Sequence, residues 1–467
     1  MFRKKICLKL ILTVLLLELS LPTFRHLGSI FQNNTHQRKT CQEQYNEEFN
    51  FYLGMEMPVP MSIFHRDRTI FMIFSGQNFV PGLRSKVKLH NLSLLVKNFK
   101  QWFMTDTWSI TFIGTNGQEV VAACEPIYNP KSLVLVVTCS VEPHHILYAI
   151  YFFIFFCFKQ ENVFFIYFVF FRSDIRINVT ASISTSSGVD KLNFQNLLSC
   201  KESNVADSKT LELAACMLVG GTHVKRIPEF LAYHSMVGIE KFFIYYNDNP
   251  KKSIENWHYF EPFVNSGLVE VVPYYFKTKD FFEGLQLPAY HDCLFKAKGK
   301  VKWLAFVDAD EFFQLQQPNS HFKSLLDLVQ SYKDNSTAFM FSTFSYAYQG
   351  DAEAYIENCV FPSFINDWLW SMDESNKRLP KSIYLTDAND YIRAHFSITL
   401  GVKKTRVAKS EAILAHYRYP YKAYTLNNIF NENYSTMPTF KNSYGAQVID
   451  KLHSFGFRNY KINCTKQ

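Results

Sequence analysis

The chain has 467 residues, enough for two domains, and 48% of them are apolar, so a large core is available. Its net charge of +8 arises from 49 basic and 41 acidic side chains scattered along the sequence. No element concentrates Lys and Arg, which speaks against a nucleic-acid partner and leaves at most a mild attraction for an anionic substrate.

Arg3, Lys4 and Lys5 precede an apolar run over residues 6–24. Basic residues ahead of such a run stay cytoplasmic. The reading is therefore a cytoplasmic tail at 1–5, a signal-anchor helix at 6–24 and a lumenal remainder, a single-pass type II protein of the Golgi membrane. Lys9 and Glu18 interrupt the run, and a cleaved signal peptide is the alternative, although Leu19-Ser-Leu-Pro-Thr23 is a poor cleavage site. Glycosylation acceptors at Asn33, Asn91, Asn178, Asn335, Asn433 and Asn463 agree with a lumenal location. None of the ten cysteines forms a Cys-x-x-Cys pair, which leaves zinc ribbons and thioredoxin-type sites unsupported. In an oxidising lumen most should pair, and Cys124 and Cys139 are close enough to join neighbouring strands.

Residues 25–60 are polar and aperiodic and read as a stem. Residues 61–204 form a β-rich domain. Thr69–Phe74, Trp108–Ile113 and Leu133–Thr138 are β-branched or aromatic runs, with Asn116-Gly117 and Asn129-Pro130 between them, and suggest a small sandwich. An insertion at 145–171 has two Phe-rich halves around Lys159-Gln-Glu-Asn162. Each half is shorter than the ~20 residues of a spanning helix. A hairpin, or unspliced intron sequence read through, are the other readings.

The pattern then changes, and residues 205–467 form the catalytic domain. Leu213–Val219, Lys241–Tyr246, Leu268–Val272 and Val301–Val307 are apolar strands. Helical periodicity follows each of the first three, over Ile227–Val237, Ser253–Val264 and Glu283–Lys298. Such alternation predicts an α/β domain with a mostly parallel sheet and helices on both faces, ligands lying beyond the carboxyl ends of the strands.

That rule places Asp308-Ala-Asp310-Glu311 at the mouth of the fourth strand. Two crowded carboxylates repel unless a cation or proton is present. A hard divalent ion, Mn2+ or Mg2+, is the usual answer, and it would bridge the diphosphate of a nucleotide-sugar. A pair of capping acids is the plain alternative. Haloacid-dehalogenase-type phosphatases also place Asp-x-Asp after a strand, but after their first strand and followed by Thr or Val, unlike the Glu311-Phe312 found here. Walker-type, Gly-x-Gly-x-x-Gly and Gly-x-Ser-x-Gly motifs are absent. Gly220-Gly221 reads as a plain strand-end turn, and Asp248 as a turn-forming residue or a nucleotide contact.

The stretch Cys216–His234, with Gly238–Asn247, Gln286, His291-Asp-Cys293, Trp303–Phe312, Lys381-Ser-Ile and His416-Tyr-Arg418, resembles glycosyltransferase family 92 over roughly residues 205–430. Phe230 departs from the Trp frequent after the Glu in that family. The resemblance implies a GT-A-like fold and inverting transfer, with β-galactosyltransferase activity from a UDP-sugar to fucose or another sugar of an N-glycan or glycoprotein. It implies Asp308 and Asp310 as the metal and diphosphate pair and His416 as a third metal ligand, with His395 competing. Asp248, Asp292 and Asp308 are the nucleotide-sugar contacts on this reading. Inverting transfer needs a base opposite the leaving diphosphate. The segment Asn366–Glu374 offers Asp367, Asp373 and Glu374. A catalytically silent, glycan-binding relative is the alternative function.

Overall fold

In the computed structural model the described residues are 59–66, 69–75, 107–113, 119–128, 134–140, 158–160, 163–165, 175–185, 188–201, 210–275, 282–316, 322–332, 336–347, most of 355–417, and 445–457. The predicted anchor, nearly all of the stem, and Asp373 and Glu374 lie outside them. Among the described residues no helix is long and apolar enough to cross a membrane.

The first body comprises β1 (Val59–Arg66), β2 (Thr69–Ser75), β3 (Thr107–Ile113), β4 (Glu119–Tyr128), β5 (Val134–Ser140), a short hairpin β6 (Phe158–Gln160) with β7 (Val163–Phe165), β8 (Ile175–Thr185) and β9 (Gly188–Lys201). Seven of these close into a barrel in the order β1-β2-β5-β4-β3-β8-β9. The sequence suggested a sandwich, because β8 and β9 carry mixed polar residues and escaped notice. They close the sheet: β9 returns beside β1 in parallel, with Phe64 opposite Cys200. Ile63, Ile70, Met72, Trp108, Ile110, Val137 and Val179 fill the interior. Cys124 and Cys139 sit directly opposite on β4 and β5 and are joined by a disulfide. Within the insertion, the three-residue strands β6 and β7 pair antiparallel, and its remaining residues lie outside the described ones.

The second body begins with β10 (Leu211–Val219), α1 (Ile227–Met236), β11 (Lys241–Tyr246), α2 (Pro250–Asn256), α3 (Glu261–Asn265), β12 (Val269–Pro273), α4 (Phe282–Ala297) and β13 (Val301–Phe306). The helix expected over Ser253–Val264 is broken into α2, a 3-10 turn at Trp257–Tyr259, and α3. Pro262, which has no N–H to donate, sits in the first turn of α3. The chain continues through β14 (Glu311–Leu315), α5 (Leu325–Ser331), β15 (Ala338–Ala347), α6 (Phe364–Asp367), β16 (Trp370–Ser371), β17 (Asn376–Leu385), β18 (Lys404–Arg406), β19 (Ala412–Tyr417) and α7 (Gly445–Ser454).

The main sheet runs β12-β11-β10-β13-β17-β15-β19-β14. Its first four strands are parallel, as expected. Beyond β13 it is mixed, because β17 pairs antiparallel to β13 and β14 antiparallel to β19. Only four residues separate β13 from β14, too few for the crossover of a dozen or more residues that a parallel neighbour needs.

Both faces of the sheet are buried, which is why its first strands are unbroken apolar runs. The two-residue period sorts their side chains. Ala214, Cys216 and Leu218 of β10, with Leu304 and Phe306 of β13, share a core with α4 and with the barrel. Leu213, Ala215, Met217 and Val219, with Trp303 and Ala305, face α1, α5 and α7. The outer side of α4 rests on β1, β2 and β5, and Cys216–Cys293 ties that helix to β10. The barrel thus backs the helix that supplies Gln286 and Tyr290 to the site.

Candidate active site

At the end of β13 the chain turns through Asp308, Ala309 and Asp310 into β14. The Glu311 N–H donates to the Asp308 carbonyl at 3.0 Å. The Asp308 N–H donates back to Glu311 Oε2 at 2.9 Å. This double closure fixes both acids of the motif at the carboxyl edge of the parallel strands.

Asp308 is held on three sides. Its Oδ1 accepts from Gln286 Nε2 at 2.7 Å and from the Tyr290 hydroxyl at 3.1 Å, both on α4. Its Oδ2 accepts from Lys381 Nζ at 2.8 Å. Lys381, on β17, is fully buried and also reaches Glu311 Oε2 at 3.1 Å. Burial opposes its charge, but Asp308 and Glu311 together hold its ammonium well above the usual lysine range. Glu311 responds in the other direction: burial, working against Lys381, pushes it up to about 7. A carboxylate offers about four acceptor positions, so Asp308 keeps one for a ligand, and its side chain is 28% exposed.

Asp310 has different company. Arg226 Nη1 lies 3.6 Å from its Oδ2 and His416 Nε2 lies 3.5 Å from the same oxygen. Burial alone would raise the Asp310 carboxyl, but His416, Arg226 and His223 hold it well below the usual carboxylate range. His416 stands opposite Glu311 in the β14–β19 ladder. The Tyr417 N–H donates to the Asp310 carbonyl at 2.8 Å and Arg226 Nη1 to the Tyr417 carbonyl at 2.9 Å. His395 lies on the Lys381 side of the site, where burial and Lys381 push it down to about 4.

The predicted residues thus divide. Asp310 and His416 converge, while Asp308, two residues before Asp310, faces Lys381, Gln286 and Tyr290. Asp248 lies at the same edge, beyond β11, where its Oδ2 accepts from the Gly221 N–H at 3.1 Å. Beside it a Cβ on Gly220 would come 2.5 Å from the Asn247 carbonyl oxygen, so the close approach of these two loops requires a glycine there. Asp292 is instead buried between α4 and the sheet, accepting from the Tyr245 hydroxyl at 2.5 Å and Lys296 Nζ at 2.8 Å. Its carboxylate fastens helix to sheet. Asp367 ends α6, and its side chain lies outside the described residues. Arg226, Gln286, Tyr290 and Lys381 were missed as site residues. A Lys225-Arg226 pair directly before an apolar helix was the available signal for Arg226.

The donor set suits a hard divalent ion in part. Asp310 Oδ2 and His416 Nε2 are 3.5 Å apart, close to the ~3 Å between adjacent ligands on an octahedral ion. Asp308 is turned toward Lys381 and does not join them. Among the described residues no group of three or more His, Cys, Asp and Glu side chains is arranged around one metal position. The crowding that made a metal seem necessary is relieved internally, each acid having its own cation.

The sequence model of glycosyltransferase family 92 matches residues 212–455. A glycosyltransferase family 92 protein of Ricinus communis is 24% identical over 229 residues, covering 44% of this chain and 35% of the relative. A second match of the same description is 24% identical over 237 residues, with 48% and 38% covered. The chain therefore spans just over a third of the length of these curated relatives. Among solved structures, the WbbM bifunctional glycosyltransferase matches at 9% identity and a TM-score of 0.22, covering 43% of this chain and 35% of that one. Glucosyl-3-phosphoglycerate synthase from Mycobacterium tuberculosis, solved with Mn2+, UDP-glucose and phosphoglyceric acid, matches at 11% identity and 0.23, covering 52% and 79%. At those scores the structural likenesses carry no argument about this chain. The family match covers more than half of it and contains every strand of the main sheet except the first residue of β10: the chain belongs to glycosyltransferase family 92.

Proposed function

We propose that this chain transfers a hexose, galactose in the first instance, from a UDP-sugar to a hydroxyl of a glycan acceptor such as fucose on an N-glycan, with inversion. The observation that carries the reading is the Asp310 carboxylate facing His416 at the carboxyl edge of the sheet, inside the family-matched region. On this reading Asp310 and His416 hold Mn2+ or Mg2+. When bound, the ion supplies charge neutralisation to the leaving diphosphate. Asp308, fixed by Gln286, Tyr290 and Lys381, offers its remaining acceptor position to the nucleotide. Asp248 lines the nucleotide side from the end of β11. Arg226 stays charged and keeps Asp310 ionised. The base that takes the acceptor proton comes from the Asp367–Glu374 segment.

The disulfides support an oxidising compartment, in line with a type II protein of the Golgi lumen anchored through residues 6–24. The test is turnover of UDP-galactose by the purified protein with Mn2+ and with EDTA. Release of UDP that depends on the metal supports transfer. One observation favours a second reading, a catalytically silent glycan-binding relative: both acids already have internal cations. Glycan binding with no UDP affinity in Mn2+ would select it.

A further inference from the structure

The amide of Gln286 can sit only one way round. Its nitrogen lies 2.7 Å from Asp308 Oδ1 and 3.1 Å from the Tyr290 hydroxyl. That hydroxyl gives its one hydrogen to the same Oδ1 at 3.1 Å, so toward Gln286 it can only accept. A carboxylate oxygen and a hydroxyl oxygen whose hydrogen is spent both demand a donor. Nε2 therefore supplies its two hydrogens to them, and Oε1 faces away from the triangle.

Oε1 has no partner among the described residues. Gln286 is 8% exposed, and its oxygen is not among the unpaired atoms sealed from solvent. The two ends of an amide are ~2.3 Å apart, so with Nε2 2.7 Å from Asp308 Oδ1, Oε1 lies no more than about 5 Å from that carboxylate. Asp308 itself keeps an acceptor position and is 28% exposed. Two acceptors thus stand side by side, and the nearest cation, Lys381, is already shared between Asp308 and Glu311.

The two halves of the site therefore suit different chemistry. Arg226 and His416 stand 3.6 and 3.5 Å from Asp310, which fits that half to a diphosphate and its ion. A phosphate oxygen brought to Asp308 and Gln286 would meet a carboxylate and a carbonyl oxygen, two acceptors with nothing to donate. That half suits a pair of hydrogen-bond donors. In a UDP-sugar the donors that occur as adjacent pairs are ring hydroxyls, since uracil has a single N–H.

We propose that Gln286 is a specificity-determining residue whose Oε1, together with Asp308, accepts hydrogen bonds from two neighbouring hydroxyls of the nucleotide-sugar. This rests on the glycosyltransferase reading and names what the Asp308 half of the site selects. The ribose and the hexose both carry such a pair. A site built to accept from a hydroxyl rejects the analogue lacking it, because the buried acceptor is then left unpaired.

The test is titration calorimetry in Mn2+ on the wild type and on Gln286→Met, which keeps the length of the side chain and removes the acceptor. Gln286→Asn, which withdraws the amide by one methylene, is the second variant and should behave alike. One set of ligands is UDP with its 2′-deoxy and 3′-deoxy forms. The other is UDP-galactose with its 2-, 3- and 4-deoxy sugar forms. In the wild type at least one deoxy ligand should bind about tenfold more weakly than its parent. In either variant that penalty should shrink to within about twofold. A penalty among the first set assigns the hydroxyl pair to the ribose, and one among the second assigns it to the hexose. A variant that merely loosens Asp308 weakens parent and deoxy ligands together, so penalties equal in wild type and variants overturn the proposal. A wild type that binds every deoxy ligand as tightly as its parent also overturns it, with no variant needed. Both of those results leave the glycosyltransferase reading standing, whereas a wild type that binds no UDP in Mn2+ removes that reading and the proposal with it.

Discussion

Lys381 Nζ donates to Asp308 Oδ2 at 2.8 Å across the antiparallel pairing of β13 with β17. Phe306, the last residue of β13, stands opposite Ser382, so the neighbouring Lys381 arrives where the chain leaves the strand for the acid motif. A fully buried ammonium shared by Asp308 and Glu311 makes the motif a balanced cluster rather than a pair of bare acids.

Removing that ammonium should destabilise the fold. Lys381→Met leaves Glu311, 2% exposed, and Asp308 without their cation. Breaking a buried pair from one side costs about 3–5 kcal/mol. Urea denaturation should show a loss of about 3 kcal/mol, since the partial exposure of Asp308 softens it. A loss below about 0.5 kcal/mol would show that the pair is not closed in solution.

Stability should fall on acidification. His234 and His291 are buried neutral imidazoles whose Nε2 atoms accept from the N–H groups of Phe313 and Ile392, and whose Nδ1 atoms face the carbonyls of Phe230 and Leu287. Burial pushes them down to about 3 and about 4 from 6.5. The unfolded chain therefore binds protons that the folded chain refuses as pH falls below 6.5. Each group contributes a slope of up to ~1.4 kcal/mol per pH unit. His395, pushed down to about 4 by burial and Lys381, adds to the loss, while Glu311, raised from 4.5 to about 7, binds its proton earlier in the folded state and offsets one of these groups between those values. The net sign is loss from pH 6.5 down to about 4, where His291 and His395 take up their protons in the folded state. The check is Tm measured from pH 7 downward, and a Tm that rises on acidification contradicts it.

The disulfide between β10 and α4 should matter more than the one in the barrel. Cys216 and Cys293 are separated by 77 residues and Cys124 and Cys139 by 15. Loop-closure entropy assigns about 4.5 kcal/mol to the longer loop and about 3 kcal/mol to the shorter. Cys216→Ser with Cys293→Ser should lower the urea midpoint more than the matching barrel double variant. The reverse order would show that α4 is held by packing alone.

The β10 to β13 strands were legible because burial on both faces writes a plain apolar run. The barrel was half legible: β8 and β9 alternate polar with apolar residues, and closure depends on β9 returning to β1, a contact of more than a hundred residues' separation. Asp308 and Asp310 were legible from their place after a strand. Lys381 was not, because its meaning comes from β17 lying antiparallel to β13, which leaves no local signature, and Arg226 had only the weak signal of a basic pair ahead of an apolar helix. Asp292 shows the opposite failure, an acid near the motif in sequence terms that the helix period turns inward to Tyr245.

Asp310→Asn should leave the fold standing and abolish most turnover. The amide keeps the side-chain volume beside Arg226 and His416 but loses the charge proposed to hold the ion. Loss of a group that stabilises transition-state charge costs on the order of 10²–10³ in kcat. UDP-galactose turnover in Mn2+ is the readout, and activity within about tenfold of wild type would remove Asp310 from its assigned role.

The most direct measurement is calorimetric titration of UDP into the purified protein, first in EDTA and then with Mn2+ restored. Affinity should fall at least tenfold in EDTA and return with the metal. Equal affinity in both conditions would mean that Lys381, Arg226 and His416 hold the diphosphate unaided, and would contradict the divalent ion at Asp310.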